Sequence, residues 1–264
     1  MNGPGDFGMS EADLELLRRA KDTLENPGLA ARLAALLGMP IEEAMKRLPP
    51  KWSGWINRAT EKSLMAALTT ALATVEHRQQ PRRNGLHRIL VGGTGAVGGF
   101  FGLPALAIEL PVSTMVMLRS IADIGRSEGE HLATIDAQLA CIEVFALGGR
   151  TGSDDATESA YFAVRAALAK ALADAARHFA ARGGVKAGAP TVARFIAQVA
   201  SRFGVVVTQK AAAQAVPVVG GAGGAAVNIL FMKHFQDMAG GHFTVRRLER
   251  QYGSEVVRRA YERL

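Results

Sequence analysis

The chain has a single cysteine, few aromatic residues and few stretches in which apolar and polar residues alternate. One cysteine, Cys141, excludes an internal disulfide and suits a reducing compartment. Its neighbours, LACIEVFAL, point to a buried, inert thiol. The scarcity of alternation argues against strands. An apolar content made mostly of Ala, Leu and Val argues for helices, since Ala is the strongest helix former. The opening residues, MNGPGDFGMSEADLELL, lack a basic segment followed by an apolar one. No signal peptide is therefore expected, and the protein should begin in the cytoplasm. Metal-ligand spacing is also missing: His234 and His242 flank MAGG eight residues apart, where surface or helix-capping roles are expected. No metal and no cofactor are expected.

Two uncharged runs stand out among the features that are present. The first, ILVGGTGAVGGFFGLPALAI at 89–108, holds six glycines and one proline in twenty residues. The second, 211–232, contains AVPVVGGAGGAAVNILFM and has the same flavour. With 48% hydrophobic and 21% charged residues in 264, the chain can bury a real core. A net charge of +7 fits attraction to an anionic partner, whether a membrane leaflet, a nucleic acid or an acidic protein.

Between the runs the pattern is Ala-rich helix with charged faces. Ser10 and Asp13 resemble a capping box for a first helix that ends near Asn26. A second helix is closed by Gly38, and a third begins at Pro40 and stops at Pro49. Residues 1–50 form the acidic part of the chain and read as a helical extension to a domain at 51–264. One long amphipathic helix is expected over 51–78. Trp52 and Trp55 lie in its first turn, and a basic connector with Arg82, Arg83 and Arg88 comes after it. Further helices are expected over 134–147, from an Asp154 or Asp155 cap to Arg182, from Thr191, from Thr244 to Gly253, and from Ser254.

Two nucleotide or hydrolase motifs fail on context. Residues 93–98 match G-x-G-x-x-G, but Pro104 and Pro111 interrupt the helix that should come next, and no second strand with a terminal acid appears. Residues 125–129 match G-x-S-x-G, but a helical charge pair, Arg119 and Asp123, precedes Ser127 where a strand is needed. The glycines fit helix packing better. Gly95 and Gly99, Gly98 and Gly102, and Gly220 and Gly224 each stand four apart, so small residues share a face and let backbones approach. The basic C-terminal helices match no nucleic-acid fold, so no nucleic acid is expected as partner.

Polar residues in apolar company are the candidate site. Glu109 separates two apolar segments, and Glu143 interrupts CIEVFAL on the same helical face as Asp136. A carboxylate so placed must be paired, metal-bound or protonated. Arg119 and Lys210 are candidate partners for Glu109, and Asn228 can bond across the two runs. A buried polar network of Glu109, Arg119, Asp123, Glu143, Lys210 and Asn228 is expected. No catalytic residue can be assigned.

The stretches at 92–130, 143–149 and 202–231, with the trailing HF and RRLERQYG, resemble the EcsC family over roughly 50–253. The resemblance covers the glycines at 98, 99 and 102, then Pro111, Arg119, Lys210, Pro217, Gly220 and Asn228. It implies a bacterial helical protein whose founding member is encoded beside an ABC transporter, and it implies no particular activity.

The fold expected is a single all-α domain around two Gly-rich apolar helical hairpins, with amphipathic helices outside. The function expected is that of a non-enzymatic protein on the inner face of the cell membrane. It would bind anionic lipid, or a membrane partner such as a transporter, through Trp52, Trp55, Arg82, Arg83, Arg88, Phe100 and Phe101. The alternatives are a hydrolase or lipid-modifying enzyme using Glu109 or Glu143, and a soluble adaptor.

Overall fold

The computed structural model describes residues 8–74, 103–149, 159–182, 189–216 and 220–264. Among them are ten helices and no strand, so the fold is all-α. They are α1 (Glu11–Glu25), α2 (Leu29–Leu37), α3 (Ile41–Lys46), α4 (Trp52–Thr74), α5 (Leu103–Ser127), α6 (Ile135–Leu147), α7 (Ala160–Arg182), α8 (Pro190–Ala215), α9 (Gly220–Tyr252) and α10 (Ser254–Arg263).

Helix α9 is the spine. Its 33 residues span about 50 Å, and α1, α2, α5, α6, α8 and α10 all pack on it. Side-chain pairs set the directions. Ser120 meets Gln236 at 2.9 Å and Glu128 meets Arg247 at 2.9 Å, so α5 runs parallel to α9. Phe145 packs on Phe235, and Asp136 meets Arg246 at 2.8 Å, so α6 runs antiparallel to it. Helix α8 returns antiparallel as well: Phe203 packs on Phe235, while Lys210 lies over Phe231. Near the start of α1, Asp13 accepts from Tyr252 at 2.6 Å.

From Ala137 onward, helix α6 has no solvent face. Every residue from Ala137 to Leu147 is buried, which explains an almost unbroken apolar run. Thr134 caps it by accepting from the Ala137 amide at 3.3 Å, and Ser10 caps α1 in the same way at 3.1 Å.

Several expectations shift. Pro111 lies inside α5 instead of ending it; one lost backbone bond is outweighed by packing against α4 and α9. Pro190 takes the first turn of α8, where its missing N–H costs nothing, so Thr191 is helical and not a cap. Thr244 is also interior, because α9 runs straight through Gly240 and Gly241. At Gly241 the Leu24 side chain of α1 comes so close that an added methyl would meet its Cγ at 2.8 Å. Gly253, at φ 89°, supplies the break before α10, so Ser254 is its first helical residue. The G-x-G-x-x-G motif, Gly95, Gly98, Gly99, Gly102 and the Asp154 or Asp155 cap lie outside the described residues. Of the second glycine run, Gly220 opens α9 and Gly224 is buried within it.

The glycines that close α6 do more than end a helix. A methyl on Gly148 would strike Nε2 of His234, and one on Gly149 would strike the carbonyl oxygen of Arg202. Backbone therefore meets backbone where α6 ends against α8. Gly149→Ala should destabilise the protein by about 1–3 kcal/mol through overpacking. Gly240, with open space around it, should tolerate Ala and gain up to about 1 kcal/mol from helix propensity. Urea unfolding of the two variants checks both, and equal midpoints would contradict the assignment.

Candidate functional site

Three polar clusters lie between the helices. The deepest joins α5 to α8: Lys210 Nζ donates to Glu109 Oε1 at 2.6 Å, and Gln214 Nε2 donates to Glu109 Oε2 at 3.3 Å. Both charged side chains are shut off from water, at 1% and 4% exposure. Phe231 of α9 covers the ammonium, 4.6 Å from its ring centre. Burial pulls the Lys210 ammonium below its usual range, with Glu109 acting against that pull. Asn228 is equally buried, and neither of its amide atoms has a hydrogen-bond partner among the described residues.

The second cluster sits where α6, α7 and α9 meet. Tyr161 of α7 shares a 3.1 Å hydrogen bond with Nδ1 of His242, whose Nε2 stands 3.9 Å from Glu143 Oε2. Arg165 donates to the Tyr161 hydroxyl at 3.3 Å and grips Glu249 with two bonds, 2.7 and 3.1 Å. Burial pushes the Glu143 carboxyl up to about 7 and holds the His242 imidazole well below its usual value. The start of α7 is capped from another helix. The Glu25 carboxylate of α1 accepts from the backbone amides of Ala160 and Tyr161 at 3.1 and 3.3 Å, and from the hydroxyls of Ser159 and Tyr261.

The third cluster is a rim of arginines on α9. Arg246 binds Glu130 at 2.9 Å and Asp136 at 2.8 Å, while Arg250 binds Glu130 and the Glu128 carbonyl. Burial opposes ionisation of Glu130, yet Arg246 and Arg250 hold its carboxyl below the usual range.

The expected buried network is thus only partly assembled. Glu109 and Lys210 come together, and Glu143 lies in a different cluster. Arg119 is exposed, and Asp123 pairs with Arg126 at 2.7 Å, three residues on, instead of with Arg119. Asp136 and Glu143 do share a face, and both reach α9, one at the rim and one inside. His234 and His242 are buried, not on the surface. The continuous helix α9 places both histidines and Phe235 toward the core. Tyr161, Arg165 and Glu249 gave no signal of their own, since an Arg or Glu on an Ala-rich helix reads as a solvated face. Ser127 ends α5 and donates to the Ile124 carbonyl at 2.7 Å, which is not a nucleophile's setting. Burial raises the Cys141 thiol to about 12.

On the surface, Trp52 and Trp55 open α4 with ring centres 5.6 Å apart, partly buried against the core. Lys51, Arg58 and Lys62 are exposed along the same side of that helix, and among the described residues none of the three forms an ion pair. Arg82, Arg83, Arg88, Phe100 and Phe101 lie outside the described residues. Among the described residues no cluster of His, Cys, Asp or Glu could hold a metal ion, and no helix is long and apolar enough to cross a membrane.

These features define an all-helical domain in which several buried polar groups are tied to one another across helices. The chain belongs to the EcsC protein family, whose model matches residues 11–248. The match begins with α1, so α1 to α3 fall inside it. No curated protein and no solved structure matches the chain.

Replacing Lys210 with Met strands the Glu109 carboxylate in the core, and should cost about 3–5 kcal/mol. The double variant Lys210→Met with Glu109→Leu should be much closer to wild type than the sum of its singles. Urea unfolding of the cycle checks this; additive losses would contradict the pairing.

Proposed function

We propose that the protein is a non-enzymatic, membrane-associated helical domain that binds an anionic membrane surface from the cytoplasmic side. The observation that supports this best is the exposed side of α4. There Lys51, Arg58 and Lys62 stand beside the Trp52–Trp55 pair, without an ion pair among the described residues. Indole and basic groups both favour the headgroup layer, and a chain of net charge +7 is drawn to it. With no membrane-crossing helix among the described residues, the association proposed is peripheral. On sequence alone, Arg82, Arg83, Arg88, Phe100 and Phe101 would extend the contact. A membrane partner such as a transporter would use the same basic face.

Burial of Glu109 against Lys210 and Gln214 opposes the enzyme alternative that would use it. The soluble-adaptor alternative predicts no affinity for lipid alone.

Flotation with liposomes tests the reading. The protein should rise with vesicles containing anionic lipid at low salt, stay behind with neutral vesicles, and detach as salt rises. Reversing Lys51, Arg58 and Lys62 to Glu should abolish recovery while helicity is retained. No recovery with anionic vesicles at low salt would overturn the proposal.

A further inference from the structure

Glu143 is a carboxyl without a cation. The two arginines nearest to it in the cluster are already committed, Arg165 to Glu249 and Arg246 to Glu130 and Asp136. Among the described residues no Lys or Arg forms an ion pair with Glu143, and its one basic neighbour is the His242 ring at 3.9 Å. That gap is too long for a hydrogen bond. The hydrogen bonds around His242 also set its protons. Arg165 donates to the Tyr161 oxygen, which leaves the Tyr161 proton for Nδ1 of His242. The ring's own proton then sits on Nε2, which has no partner among the described residues. Helix α10 adds the Tyr261 ring against Tyr161, and α1 adds Glu25 bonded to Tyr261. Helices α4, α5 and α8 also pack on α6; they carry buried apolar residues such as Leu64, Leu68, Phe203 and Val207, and their buried charges, Glu109 and Lys210, are paired with each other. An ionised Glu143 would therefore be a buried charge balanced only from a distance, by Arg165 and Arg246 that are already paired elsewhere.

We infer that Glu143, facing His242, is a buried proton-binding site whose carboxyl carries a proton in the folded state, linking the packing of α6, α7 and α9 to pH. The upward push on Glu143 by burial agrees with this geometry. The sign comes from linkage. The folded state holds this proton more tightly than the unfolded chain, so stability is fully present in acid and is lost as pH rises through about 7. The buried His242 acts in the opposite sense, losing stability as pH falls below its usual range.

Infrared spectroscopy of the wild-type protein reads the proton directly, through the carbonyl stretch of a buried carboxylic acid. That band should be present at about pH 6, absent at about pH 8.5, and missing at both in Glu143→Gln. Absence of the band at the lower pH, or its persistence in the variant, would overturn the inference. Unfolding supplies a second readout. The folding constant of wild type relative to Glu143→Gln should fall roughly 100-fold between about pH 5 and about pH 8. A ratio that does not change would overturn the inference as well.

Discussion

Helix α6 is enclosed on every side from Ala137 to Leu147, and the rest of the structure answers to that enclosure. A helix without a wet face cannot hold a polar group unless another group meets it. Gln138 donates its amide to the Leu132 carbonyl at 2.8 Å, while its Oε1 has no partner among the described residues. Glu143 looks toward His242, and the end of the helix has no room for side chains because α8 and α9 press against Gly148 and Gly149. The spine α9 is shaped by the same demand. Along it run His234 and Phe235, then His242, then Arg246 and Glu249, each turned to a group on a neighbouring helix.

The charged pairs grade from inside to outside. Glu109 and Lys210 are sealed, with an aromatic face over the ammonium. Arg165 and Glu249 are partly covered, and the Arg246–Asp136 bond reaches the exposed rim. A sealed pair adds little net stability, but its geometry is strict, since either member alone is a buried charge. Such pairs fix which helix faces which. The proposed membrane contact falls to the surface, where the basic side chains of α4 form no ion pair among the described residues.

Much of the helical layout was readable from residues alone. Ser10 acts as the cap its position suggested, and the helix expected over 134–147 forms, with Thr134 at its N-cap. The failures share a cause. Glycine pairs read as breaks, yet Gly241 is helical because Leu24 needs the space, and Gly253 is the glycine in this region whose left-handed backbone ends a helix. Proline reads as a break, yet Pro111 sits inside a helix clamped by its neighbours. Local propensity amounts to about one to three kcal/mol, which tertiary packing outweighs. Of the candidate site, Glu109 and Lys210 could be singled out by polarity in apolar company. Which of Arg119 and Lys210 would reach Glu109, and that Tyr161 would reach His242, depends on contacts between residues 101 and 81 positions apart in the chain.

Native-state hydrogen exchange at the amides of 137–147 tests the enclosure of α6 most directly. If α6 is held on all sides, these amides exchange only when the whole protein unfolds, with the free energy measured by urea. Exchange through local opening well below that free energy would contradict it.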